Sequence, residues 1–219
     1  MAELNLLDQY PRSKRPIDER ASRVTDADRA IARQFGRDYF DGDRIHGYGG
    51  YHYHPRFWQP TVRRFHDHYG LKPRDRVLDV GCAKGFMLHD FKELIPGLTV
   101  AGIDISEYAI ANAKEEVKPS LRVGNAKELP YDGQSFDLVI AINTIHNLEL
   151  LECKQALREI QRVTRRHAFV VVDAWRNDEE RDRLQRWVVT CRTAMHVEDW
   201  RRLFDEVGYK GDYYWFIAE

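Results

Sequence analysis

The sequence predicts an α/β protein built on a doubly wound, mostly parallel sheet. From Arg76 onward, short apolar strands alternate with amphipathic helices. The strands read as near-continuous apolar runs, the mark of a sheet covered on both faces. One of them, Val77-Leu78-Asp79-Val80, runs directly into Gly81-Cys82-Ala83-Lys84-Gly85, a glycine turn that opens a helix. Ligands of such sheets bind outside the carboxyl ends of the strands, where this turn lies.

The elements follow in order. Residues 1 to about 23 are polar, and Arg12, Lys14, Arg15, Arg20 and Arg23 outnumber Asp18 and Glu19. They read as a solvated arm, or as one that folds over a ligand. Thr25 with Asp28 three positions on starts a helix over 25–40, with Ile31, Phe35 and Tyr39 on one face. Residues 41–54, rich in glycine and aromatic residues, suit a loop. Pro60 opens a helix to about Tyr69. Strands are expected at 76–80, 99–103, 121–123, 138–143 and 168–172, with a closing strand at 213–217. Helices are expected at 86–94, 107–117, 149–164, 178–192 and 197–207. The division is an N-terminal segment, 1–69, carrying helices and a lid loop, and a core domain, 70–219.

Composition excludes several classes. With 219 residues, of which 43% are hydrophobic, the chain can bury roughly 70% of its unfolded surface, so neither a disulfide nor a metal is needed to hold it. A net charge of −1 gives no overall field for a polyanion, which makes nucleic acid an unfavoured partner. Cys82, Cys153 and Cys191 form no CxxC pair, as expected in a reducing compartment. No stretch has signal-peptide or membrane-spanning character, so a cytoplasmic protein off the membrane is expected. The pairs His52/His54 and His66/His68 lack an evident third ligand, and no metal is expected.

The glycine turn is the centre of the functional reading. It lacks the GxxxxGK of a phosphate-binding loop and the GxGxxG of a dinucleotide site, having GxxxG from Gly81 to Gly85. It resembles the first motif of the class I S-adenosylmethionine-dependent methyltransferases, an acid, any residue, then GxGxG. Downstream motifs keep register: Gly102-Ile103-Asp104, Gly124-Asn125-Ala126, and Phe136-Asp137-Leu138-Val139 with Ile142-Asn143. The resemblance covers about residues 70–175 and implies a Rossmann-like fold with S-adenosyl-L-methionine as cofactor. It implies cofactor contacts from Asp79, Gly81, Cys82, Ala83, Lys84 and Gly85, from Asp104 and Ile105, from Asn125 and Ala126, and from Asn143. A carboxylate at Asp104 can accept from both ribose hydroxyls. Two positions depart from the family: Ala83 stands where a second glycine is common, and Asn125 replaces the common Asp. Gly81→Val is expected to abolish cofactor binding without unfolding the domain.

Methyl transfer from a sulfonium is an in-line displacement, served by alignment and a base for the acceptor proton. His146, just beyond the fourth strand, is the candidate base, with packing against the cofactor as its alternative role. Tyr48, Tyr51 and Tyr53 in the glycine-rich loop are lid candidates, and Trp175 and Arg176 border the acceptor side. The N-terminal segment, this loop and the C-terminal end look like those of small bacterial methyltransferases of surface-polysaccharide biosynthesis, which implies O-methylation of a sugar or related polar metabolite. An RNA or protein methyltransferase and a non-catalytic cofactor-binding subunit stay open. The family closes its sheet with two antiparallel strands, yet only 213–217 remains here. Either a segment such as 193–196 joins the edge or the sheet is shorter, and an uncovered edge makes a homodimer plausible.

Overall fold

The structure, a computed structural model, describes residues 1–11 and 15–219. Arg12 and Lys14 of the expected arm lie outside the described residues. Among these residues seven strands make one sheet: β1 (Arg76–Val80), β2 (Thr99–Asp104), β3 (Leu121–Val123), β4 (Phe136–Ile142), β5 (Thr164–Trp175), β6 (Met195–His196) and β7 (Asp212–Phe216). The order is β3-β2-β1-β4-β5, with both β6 and β7 on the outer side of β5. The chain therefore reverses its winding between β1 and β4, and the cleft opens at that switch point.

Every recorded strand pair is parallel, β7 with β5 included. The antiparallel closure usual in the resembled family is absent among the described residues, because α9 (Val197–Val207) returns the chain to the starting end of β5 before β7 begins. Residues 195–196 extend the edge beside Ala174 and Trp175, within the segment expected to do so. Residues 2–4 then add to β7: Leu4 N–H donates to the Tyr213 carbonyl at 2.9 Å, and Tyr213 N–H to Ala2 at 3.0 Å. The edge on which the expectation of a homodimer rested is partly occupied by the chain itself.

Helices lie on both faces. On one face α7 (Leu150–Val163) and α9 bury Cys153, Leu157, Ile160, Trp200 and Phe204 against β4 and β5. On the other, α4 (Pro55–Tyr69) and α5 (Phe86–Leu94) bury Val62, Phe65 and Phe91 against Val77, Leu138 and Phe169. Leu6 is in that second cluster at 3% exposure, so the start of the expected arm is core. Its continuation is α1 (Ile17–Arg23), where Arg20 lies over the Trp187 ring at 4.9 Å.

Other boundaries differ for local reasons. The helix expected over 25–40 is two, α2 (Asp26–Ala32) and α3 (Arg37–Asp41), because Phe35 takes φ +49 and Gly36 restarts the chain as N-cap. The Thr25–Asp28 capping box of α2 forms. Helix α4 begins at Pro55, with Pro60 inside it. Helix α6 (Glu107–Ala111) ends six residues before the expected 117, and α8 (Asp178–Trp187) stops before Val188 rather than running to 192.

Candidate functional site

At the carboxyl ends of β1, β2 and β4 lies an open cleft, where sheets of this winding take their ligands. Its floor is Val80, Gly81 and Ala83 after β1, Asp104 and Ile105 after β2, Gly124, Asn125 and Ala126 after β3, and Asn143 and Thr144 after β4. Each group stands where a strand ends, so backbone geometry alone gathers the floor.

Gly81 has φ +87, and a Cβ on it would lie 2.1 Å from Thr144 Oγ1. The turn and the loop after β4 touch there, which only a glycine permits. Gly81→Val would therefore displace Thr144 as well as any ligand, so it is not the clean probe expected from sequence. Ala83, at φ +50, occupies the left-handed conformation that a second glycine would adopt. Its N–H donates to Asp104 Oδ2 at 2.7 Å, and Ser106 N–H to Oδ1 at 2.8 Å.

Two buried carboxylates face this turn. Burial, with a smaller push from Asp104, raises the Asp79 pKa to about 7. Burial also raises that of Asp104, against the pull of the Ser106 and Ala83 amides. Among the described residues no cationic side chain pairs with either. Such a site favours a cation, as a ligand carrying an ammonium or sulfonium would supply. Asn125 Oδ1 accepts from Lys127 N–H at 3.0 Å, which fixes the amide beside the half-exposed Ile105.

The roof was legible only in part, as Tyr48 of the expected lid loop. Phe35, Tyr39, Phe40 and Tyr48 line the cleft from above. Phe35 and Tyr39 read from sequence as the inner face of a single helix, and nothing in their spacing distinguished a ligand from a core.

Several expected site residues lie elsewhere. Cys82 is buried against Gly102, and Gly85 faces Val117 and Leu121. Asp79 and Tyr51 stand behind the lining rather than in it. Lys84 turns away to Asp41. Tyr53 bonds Asp90 at 2.5 Å on α5. Arg176 is a surface residue beside Glu3 and Glu180, and Trp175 is taken up in the pairing with β6. His146 is buried and its Nδ1 accepts the Asp173 N–H at 3.0 Å, so the neutral ring carries its proton on Nε2. Burial lowers its pKa, against the charge of Asp173. With its Nδ1 lone pair used and its ring outside the lining, His146 as placed here supports the loop after β4. Among the described residues no group of metal-ligating side chains forms a site, and no helix is long and apolar enough to cross a membrane.

Comparison with known proteins bears on this cleft directly, because residues 78–172, which supply nearly all of its floor, match the methyltransferase domain family. That stretch is similar to a methyltransferase domain. The cofactor that such a domain implies is S-adenosylmethionine, and the uncompensated carboxylates and the cleft fit it. The chain is 32% identical over 57% of its length to a tRNA (carboxymethyluridine(34)-5-O)-methyltransferase of Arabidopsis thaliana, covering 30% of that protein. It is 37% identical over 39% of its length to nocamycin O-methyltransferase of Saccharothrix syringae, covering 33% of it. The aligned part thus spans about a third of each relative. The YcgJ protein of Bacillus subtilis shares the fold, with a TM-score of 0.55 at 19% identity over 67% of this chain and 66% of that one. So does a Haloferax volcanii methyltransferase solved with the Trm112 methyltransferase activator, with a TM-score of 0.54 at 20% identity over 69% and 72%. The matched stretch lies wholly below the roof, whose residues 35–48 fall outside the match.

Proposed function

We propose that the protein transfers the methyl group of S-adenosylmethionine to a small-molecule acceptor. One observation carries the choice of acceptor size: the aromatic roof of Tyr39, Phe40 and Tyr48 narrows the cleft, and among the described residues its lining holds no Lys, Arg or His. A lining of that kind suits an uncharged small molecule better than a phosphate backbone. O-methylation of a sugar or related polar metabolite is supported by the pairing of aromatic faces with the amides of Asn143 and Asn147 and the hydroxyl of Thr144.

The cofactor supplies an already activated methyl group. The chain's own part is then to bind, align and exclude water. Asp104 is placed to accept the ribose hydroxyls, each oxygen keeping one lone pair beyond its backbone bond. Ile105 and Ala126 present apolar surface for a purine beside Asn125. Tyr39, whose pKa burial pushes up to about 12, stays a neutral hydroxyl at physiological pH and can orient an acceptor by hydrogen bonding.

Release of S-adenosylhomocysteine across nucleotide sugars, sugar phosphates, free sugars, amines, phenols and bulk RNA tests this reading. Turnover confined to small molecules supports it. Turnover on RNA alone, with steep salt dependence, replaces it with the RNA reading, which the tRNA methyltransferase relative supports. Tight binding of S-adenosylhomocysteine with no turnover on any acceptor points to a binding-only role.

A further inference from the structure

The roof reaches the methyltransferase domain through a compact knot of side chains centred on Asp41, at the end of α3. Lys84 Nζ lies 2.6 Å from Asp41 Oδ2 and donates to the Tyr51 carbonyl at 3.0 Å. The Tyr108 hydroxyl donates to the same carboxylate oxygen at 2.7 Å, and Tyr51 N–H to the other at 2.9 Å. Burial alone would raise the Asp41 pKa, but these donors bring it down to about 2. The Lys84 side chain is 6% exposed and that of Asp41 17%, so the pair is shielded from water and salt.

The neighbouring residue does related work. Ala83 packs with Phe40 and Ala109 in a small buried cluster apart from the two main cores, with Tyr39, Tyr51 and Tyr108 around it. A glycine at 83 would suit φ +50 better but would offer Phe40 no methyl group. One turn therefore does two things: the Ala83 amide holds the carboxylate of Asp104, while the Ala83 methyl and the Lys84 ammonium hold the roof. At the far end, Ser106 Oγ donates to the Phe35 carbonyl at 2.5 Å, and Ser106 N–H is the other amide on Asp104.

We propose that Lys84 and Asp41 are positioning residues that keep the aromatic roof closed over the bound cofactor, so that cofactor retention depends on an ion pair that does not touch it. The proposal rests on the S-adenosylmethionine reading only for the identity of the occupant. The position that departs from the family glycine, Ala83, belongs to the same latch.

The test compares wild type with Lys84→Met, Asp41→Asn, their double variant, Lys84→Arg and Ala83→Gly. The readouts are S-adenosylhomocysteine dissociation rate, thermal midpoint, and proteolytic cleavage within residues 42–53. Dissociation is expected to quicken about ten-fold in either single variant, with no further gain in the double variant, as for two partners of one interaction. Lys84→Arg restores most of the retention. Ala83→Gly quickens dissociation while the midpoint holds or rises, which separates loss of the latch from loss of stability even if Lys84→Met folds poorly. Without ligand, the loop is cut faster in the single variants than in wild type. Wild-type dissociation rates in variants with lowered midpoints, or additive effects in the double variant, overturn the proposal. Failure of wild type to bind S-adenosylhomocysteine removes the cofactor reading instead, and the ligand-free cleavage comparison still decides whether the pair holds the roof.

Discussion

The floor and the roof of the cleft are made in different ways. The floor is set by backbone: strand ends, a glycine at φ +87, and two amides on one carboxylate. The roof is set by side chains that reach across long separations, as when Arg20 donates to the Trp187 carbonyl at 3.0 Å and to those of Arg44 and Ile45 at 2.9 and 3.3 Å. Residues 78–172 match a known domain family and the roof does not. A backbone-made site leaves a fixed motif in the sequence, whereas a side-chain-made one can be fastened by any suitable pair.

The contrast can be broken, beginning with the largest effect. Asp104→Ala removes the acceptor of two amides and, on the proposed function, of the ribose, and cofactor affinity should fall at least about 100-fold; titration calorimetry with S-adenosylhomocysteine measures it, and a loss under ten-fold would show that the floor is not organised around this carboxylate. Leu6→Ala should cost about 2–3 kcal/mol of stability by urea unfolding and leave cofactor affinity of the folded protein unchanged, since Leu6 belongs to the core beneath the sheet and not to the roof.

Asp79 yields a pH signature. Its pKa near 7 in the free protein is raised above the unfolded value, so folded protein binds more protons between about pH 4 and 7. The contribution of this group to stability is therefore lost as pH rises through that window. A cationic ligand prefers the carboxylate, so affinity for S-adenosylmethionine should increase about ten-fold from pH 6 to pH 8. Asp79→Asn should flatten that rise; an unchanged profile would transfer it to Asp104, the neighbouring carboxylate.

The smallest effect sharpens the boundary of the roof. Tyr53→Phe removes the hydroxyl on Asp90 and should cost about 1 kcal/mol of stability, with retention of S-adenosylhomocysteine unchanged. Faster ligand loss would extend the roof to residue 53.

Strands were legible because buried parallel strands are apolar throughout, and β1 and β3 fall at the expected residues. The positions of Asp104 and of the turn at the strand ends were legible because spacing along the chain reflects strand length. Phe35 was not, because its carbonyl is satisfied by Ser106, 71 residues away, and a helical stripe conceals the φ +49 that breaks it. Lys84 lies in the turn expected from sequence, with its ammonium on Asp41. Sequence shows where the turn is, but not that its longest side chain turns away to a carboxylate 43 residues earlier. The anchor of His146 was hidden for a similar reason, its Nδ1 being held by an amide on β5, 27 residues on.

The pairing of residues 2–4 with Tyr213 has a bearing on synthesis. Sheet partners 210 residues apart mean that residues 2–4 wait for β7 to be made before Leu6 has a finished surface to cover. Until then the sheet of the growing chain lacks its last edge and Leu4, Leu6 and Leu7 lack their place in the core, the stage at which a holding chaperone would be most useful.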